Sequence, residues 1–252
     1  FYEKNFNNTD KLSSFFKFQF LFQLHKKHKK IYSYNQYANI IRNMSLKKVQ
    51  ELFNKVSPSY DLLNDLFSFG LHRLWKRRLL NWLKPSQGEN WLDICCGTGD
   101  LSLSLANYVS PGGSVLGIDF SSEQLSLAKK RALRRKCFSV SWLEKDALNT
   151  FLPSASFDGV VMAYGLRNLT DPEKGINEIY RLLKPGGRAG ILDFNSSVEG
   201  SMNSWFQTFY LRKFVVPIAT SIGLKEEYSY LEKSLKNFPN GSLQKKLAIN
   251  AG

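Results

Sequence analysis

At 252 residues with 43% hydrophobic side chains, the chain can bury the core of one sizeable domain. Its formal net charge of +14 is partly a property of the start, where residues 1–43 hold eight Lys/Arg against two acids. Such a balance suits acidic headgroups or nucleic acid. Nothing else in the chain forms a nucleic-acid-binding module, so no such partner is expected. Three cysteines and three histidines supply neither a disulfide framework nor a metal site.

Residues 1–43 are rich in Phe, Lys, Asn and Ser and poor in acids, which reads as a targeting segment or an extension foreign to the domain. The stretch "FFKFQFLFQL" within it is interrupted by Lys17, Gln19 and Gln23 and is too short to span a bilayer. The domain itself is expected over residues 44–252. Val49, Leu52, Phe53 and Val56 fall at helical spacing before Ser57-Pro58, and a second helix is predicted over Leu71 to Leu83, stopped by Lys84-Pro85.

Strands and helices then alternate. "NWLDIC" reads as a buried strand, followed by a helix from Asp100 to Tyr108 and a turn at Ser110-Pro111-Gly112-Gly113. "SVLGIDF" is the second strand, and Ser121 or Ser122 caps the helix after it. "FSVSWLEKDA" and "FDGVVMAYG" are strands three and four. The helix "PEKGINEIYRLLK" is predicted to end at Pro185-Gly186-Gly187, with "RAGILDF" as strand five. Two further helices, around Met202 to Ile218 and Lys225 to Leu235, precede a last helix that starts at "GSLQKKLA". This alternation predicts an α/β fold, a parallel sheet with helices on both faces and a ligand beyond the carboxyl ends of its strands.

The loop after the first strand indicates the ligand. A dinucleotide fingerprint needs G-x-G-x-x-G; here Gly97 and Gly99 are in place, but the third position is Ser102. Asp93 and Asp100 bracket the loop, and beside a pyrophosphate each would repel by about 1 kcal/mol even in water-like dielectric. Near a sulfonium and an ammonium they attract, so the pattern suits S-adenosylmethionine better than NAD. Asp119 ends the second strand, where a carboxylate accepts ribose hydroxyls. Asp146-Ala147 follow the third strand, where Asp146 accepts from the adenine amine. The cofactor-binding set is therefore Asp93, Gly97, Thr98, Gly99, Asp119, Asp146 and Ala147.

Two blocks, "YDLLNDLFSFGLHRLWK" and "YGLRNLTDPEKGINEIYRLLKPGGRAGILDFN", resemble the class I methyltransferases that C-methylate quinone rings in ubiquinone and menaquinone biosynthesis. The resemblance runs from Val49 to Gly252. "LDICCGTGDL", "GIDFSSEQL", "ILDFN" and "VVPIATSIGLKEEYSYLEKSL" are similar to the plant and cyanobacterial branch, which methylates demethylphylloquinone. Leu63 and Ala163 depart from residues frequent in the family. The family's last two strands have no counterpart before Gly252, so the resemblance implies a Rossmann-like sheet with an exposed edge beside strand five.

The resemblance implies an enzyme that methylates a quinol ring carbon without a metal, in a chloroplast or, in the ubiquinone branch, a mitochondrion; the competing reading is a truncated product that keeps the donor fold and does not catalyse. His72 is the candidate for deprotonating the ring hydroxyl; the competing reading is a histidine that packs the helix. Arg167 is the candidate for steadying the oxyanion, against a structural pair with Asp61 or Asp171. Tyr60, Asp61 and Asn64 are candidates for positioning substrate. Tyr164, grouped with the catalytic residues, and Trp75 offer flat surfaces for the ring, or are core aromatics. The prenyl tail of such a substrate implies membrane contact, for which "SWFQTFYLRKFVVPI" is the candidate; packing on the domain or on a second copy of the chain, a homodimer, explains the same residues.

Overall fold

The computed structural model describes residues 24–25, 70–193 and 241–252. The helices predicted before residue 70 and between residues 202 and 235 lie outside these residues. Among the described residues there are six strands: β1 (Leu24–His25), β2 (Asn90–Ile94), β3 (Ser114–Asp119), β4 (Val140–Glu144), β5 (Phe157–Ala163) and β6 (Leu183–Leu192). They form one sheet of order β1-β6-β5-β2-β3-β4, parallel from β6 to β4. The chain fills one side of β2 with β3 and β4, then crosses over to lay β5 and β6 on the other. The point of reversal lies between β2 and β5, where such sheets open a crevice at their carboxyl edge.

Helices α1 (Leu71–Leu83), α2 (Asp100–Val109), α3 (Ser122–Arg134), α4 (Pro172–Leu182) and α5 (Gly241–Ala251) flank the sheet. Alternate strand residues feed opposite faces. Trp91, Val161 and Leu192 join Trp75, Leu79, Leu80, Leu83 and Leu105 in one buried cluster. Leu92, Val160 and Ile191 join Ile176, Ile179, Leu182, Leu247 and Ala248 in the other. Ser121 caps α3 by accepting from the Gln124 amide, and Asp171 caps α4 by accepting from Lys174. The end of α1 is fastened to the sheet by Arg188 of β6, which donates to the Leu83 and Lys84 carbonyls and pairs with Glu89 at 2.8 Å.

Two expectations are corrected here. Helix α4 stops at Leu182 and β6 already begins at Leu183, which pairs with Phe157. Pro185 disfavours helical backbone at Lys184 and has no amide to donate; the register slips over Lys184–Gly187 before Arg188 pairs with Gly159. The edge beside β6 is also not bare along its whole length, because Leu24 and His25 pair antiparallel with Ala189 and Arg188. Those two residues come from the segment read as a tail.

Candidate active site

The two strands at the reversal point end alike. Cys95 directly follows β2 and Tyr164 directly follows β5, and both adopt left-handed backbone, with φ of 57° and 62°. Left-handed φ is costly for residues with a Cβ and persists only where surrounding structure holds it. At Tyr164 the amide donates to the Leu192 carbonyl at 2.6 Å, and its own carbonyl accepts from Arg167 Nη1 at 2.8 Å and Asn168 Nδ2 at 3.1 Å. The two turns lie so close that a Cβ on Gly165 would stand 2.7 Å from the Cβ of Cys95. Both strands thus end in tight turns that pack side by side at the carboxyl edge of the sheet.

The loop from Cys95 to Gly99 is held by carboxylates. Asp119 Oδ2 accepts the Gly97 amide at 2.8 Å, and its Oδ1 accepts the Ser121 amide at 3.0 Å. Gly99 begins α2 with a φ of 80° and lies against Trp142 of β4, whose ring would stand 2.3 Å from an added Cβ. Only glycine meets both the backbone angle and that approach. Asp93 is buried inside β2 and accepts from Ser102 Oγ at 2.5 Å. Burial lifts the Asp93 carboxyl to about 7, and the Ser102 hydrogen bond and the Lys76 charge only partly oppose it. Asp119 is also raised by burial, against the amides of Ser121, Gly97 and Phe120. Burial, reinforced by Asp119 and Asp93, holds the Cys95 and Cys96 thiols protonated.

Helix α1 closes one side. His72 is buried on it, and Lys76 one turn on pairs with Asp100 at 3.1 Å while standing 5.9 Å from the Tyr164 ring centroid. Burial alone would raise the Asp100 carboxyl, but Lys76, with His72 and Arg131 beyond it, brings it below its ordinary value. Arg131 of α3 donates to Thr98 Oγ1 at 2.8 Å. On the other side, Arg167 is buried with Asp193: Nη1 meets Oδ1 at 2.7 Å, and the Arg167 amide donates to Oδ2 at 3.0 Å. Of the two structural pairs expected for Arg167, the one with Asp171 is replaced by this pair, since Asp171 is spent on capping α4, and Asp61 lies outside the described residues.

A family model described as the ubiE/COQ5 methyltransferase family matches residues 41–252. The chain belongs to that family. A 2-phytyl-1,4-naphtoquinone methyltransferase from Nostoc punctiforme is 44% identical over 206 residues, 81% of this chain and 89% of the relative. A chloroplastic 2-phytyl-1,4-beta-naphthoquinone methyltransferase from Arabidopsis thaliana is 44% identical over 80% of this chain and 78% of its own. Among solved structures, an S-adenosylmethionine-dependent methyltransferase from Thermotoga maritima shares the fold with a TM-score of 0.54, 23% identity and 80% coverage of both chains. So does phosphoethanolamine N-methyltransferase 2 from Haemonchus contortus, solved with S-adenosyl-L-methionine, at a TM-score of 0.54, 23% identity, 71% of this chain and 36% of that one.

As a member of the ubiE/COQ5 family the chain is an S-adenosylmethionine-dependent methyltransferase with a class I, Rossmann-like fold. The donor set fits that cofactor: two buried carboxylates, Asp93 and Asp119, flank a glycine loop at the strand ends, where a sulfonium is attracted and a pyrophosphate repelled. Thr98, Gly97 and Gly99 lie between them. Asp146 and Ala147 sit in a turn after β4, where Asp146 Oδ1 accepts the Leu148 amide at 2.8 Å; Asp146 is exposed and Ala147 buried. Trp75 is 3% exposed and packs in the core cluster that also holds Tyr164. Tyr60, Asp61 and Asn64 lie outside the described residues. Four site residues escaped the sequence reading: Lys76, Ser102, Arg131 and Asp193. Ser102 carried a signal, as the polar residue in a glycine position. The others are joined to the site by residues 24 to 33 positions away in the chain. Among the described residues no group of His, Cys, Asp or Glu could hold a metal, and no helix is long and apolar enough to cross a membrane.

Proposed function

We propose that this methyltransferase transfers a methyl group from S-adenosylmethionine to the unsubstituted ring carbon of 2-phytyl-1,4-naphthoquinol, in a chloroplast. The observation that carries the reading is the 44% identity, across four-fifths of the chain, to enzymes named for that acceptor in both a cyanobacterium and a plant. When bound, S-adenosylmethionine supplies an electrophilic methyl on a positively charged sulfur. Asp93 and Asp119 hold that charge and the ribose against the Cys95–Gly99 loop. His72 takes the proton of the ring hydroxyl, directly or through a water, so that electron density reaches the adjacent carbon. The activated ring carbon would accept that methyl and give its own proton to water, while His72 returns the first proton to the ring oxygen as the aromatic ring is restored. Tyr164 forms the wall of the crevice, with its ring between Lys76 and the Arg167 guanidinium, whose carbon lies 5.7 Å from the ring centroid. Arg167 sets the potential felt by the ring oxygen while Asp193 fixes its position.

The test is turnover of the purified chain with S-adenosylmethionine and either 2-phytyl-1,4-naphthoquinol or a demethylated benzoquinol acceptor, with product mass read by spectrometry. A methylated naphthoquinol formed at least about tenfold faster than the benzoquinol product supports the reading, since a misfitted ring loses its near-attack geometry. Equal rates, or a preference for the benzoquinol, overturn it.

A further inference from the structure

The outer surface of the α1, α2 and α3 layer is chemically unlike that of the other described helices, α4 and α5. From Leu71 to Lys84, along α2, and from Ser122 to Lys136 there are eleven Lys/Arg and two acids, Asp100 and Glu123. Of the acids, Asp100 is paired with Lys76. On α3 the buried residues Leu125, Ala128 and Ala132 face the sheet, and Ser126, Lys129, Lys130, Leu133 and Arg134 form an exposed stripe at helical spacing. Within that charge, Leu133 is 67% exposed and Phe138 just beyond the helix 80%. Between the three helices lies a cavity of about 550 Å³, lined by Arg73 and Arg77 of α1, Arg131 and Arg135 at the end of α3, the Lys76–Asp100 pair and His72.

We infer that this layer is a docking surface for an anionic lipid bilayer, the cavity receiving a headgroup and Leu133 and Phe138 entering the acyl boundary. Three observations converge. Clustered Lys/Arg are drawn to the negative potential of a lipid surface. Large apolar side chains standing out of a basic stripe gain from acyl chains and nothing from a phosphodiester backbone, which separates a membrane from a nucleic acid. Lys76 lines the cavity and also stands over Tyr164, so the docked face adjoins the crevice. The inference rests on the proposed acceptor in one respect: a phytyl-bearing ring must be drawn from a bilayer.

Flotation of the full chain with vesicles tests it. With phosphatidylcholine vesicles containing about 30% phosphatidylglycerol, binding should exceed that to phosphatidylcholine alone by at least about tenfold and fall with added salt. Arg134→Glu with Arg135→Glu and Lys136→Glu should remove that excess. Leu133→Ser with Phe138→Ser should weaken binding severalfold at low salt, a loss that charge cannot explain. Both variants should keep the melting temperature and the turnover of a water-soluble naphthoquinol without the prenyl chain. Lys26→Glu with Lys27→Glu, Lys29→Glu and Lys30→Glu should leave the excess in place. Undiminished binding by both helix-layer variants, loss confined to the Lys26–Lys30 variant, equal binding to neutral vesicles, or capture of single-stranded RNA in preference to vesicles would each overturn the inference. Vesicle binding by a chain that methylates no naphthoquinol would overturn the proposed acceptor and leave the docking surface standing.

Discussion

The two helical layers cover one sheet in the same way and meet solvent in opposite ways. Beneath α1 and α2 lie Leu79, Leu80, Trp91 and Leu105, and beneath α4 and α5 lie Ile176, Ile179, Leu182 and Ala248, all at 1% exposure or less. Outside, α4 with its cap and α5 hold four Lys/Arg against three acids, and Glu178 is bound by Arg181 at 2.7 Å and by Thr150 at 2.5 Å. The α1–α3 layer holds eleven against two. Folding needs only the inner faces, so an outer face is at liberty to carry a task. A balanced, internally paired face has no net attraction for an anion, and an unbalanced one has.

Five measurements break or sharpen that contrast. The largest effects should fall on the shared core: Leu79→Ala and Ile179→Ala should each lose about 2–5 kcal/mol in denaturant unfolding. A cost on one face only would mean that the sheet does not rely on both layers. Asp119→Ala comes next, because it removes the acceptor of the Gly97 and Ser121 amides as well as the ribose contact proposed for it. S-adenosylmethionine affinity should drop by about a hundredfold by calorimetry, about 2.7 kcal/mol, and an unchanged affinity would detach the loop from the cofactor.

On the paired face, Glu178→Gln should cost about 1–3 kcal/mol at neutral pH by leaving a buried network half made. Burial would raise the Glu178 carboxyl, but Arg181 and Thr150 hold it down at about 2. Its contribution is therefore present above the unfolded value of about 4.3 and is lost as pH falls toward 2. Acid unfolding of the variant should lack that part of the slope.

Asp93 titrates in the opposite sense. Its unfolded carboxyl releases its proton near pH 4 and its folded one near 7, so the ligand-free protein loses stability as pH rises between these values. A sulfonium favours the ionised form, and cofactor affinity should climb by up to about tenfold per pH unit to pH 7 and then level off. Asp93→Asn should flatten the curve; a slope that survives it belongs to another group. The smallest effect should come from the exposed basic face. Lys129→Gln with Lys130→Gln should shift stability by less than about 0.5 kcal/mol, and a larger loss would make those charges part of the fold.

Much of this was legible in the chain because it rests on local rules. Leu71–Leu83 appears as a helix at the predicted bounds, with Lys84-Pro85 as its stop, and Ser121 caps α3 as its position before "SEQ" implies. The glycine loop and its acids were visible because a turn between strand and helix needs particular residues at fixed spacing. The start of β6 was not, since the alternation of "YRLLKPGG" suits either state and only pairing with Phe157 turns Leu183 to strand. The pairing of Leu24–His25 with β6 was equally hidden, because sheet partners 163 and 165 residues apart leave no local trace.

The sequence by itself determined the fold class, the cofactor and the family, each of which is written in periodicity or in short motifs with a physical reason for their spacing. Tertiary structure alone decided the partners. It put Ser102 on Asp93, Lys76 between Asp100 and Tyr164, and Asp193 rather than Asp171 on Arg167. It also gathered the basic residues of three separate segments onto one face. A side chain's charge and shape are properties of the residue, but what it meets depends on how the chain crosses the sheet, and that is settled only when the layers pack.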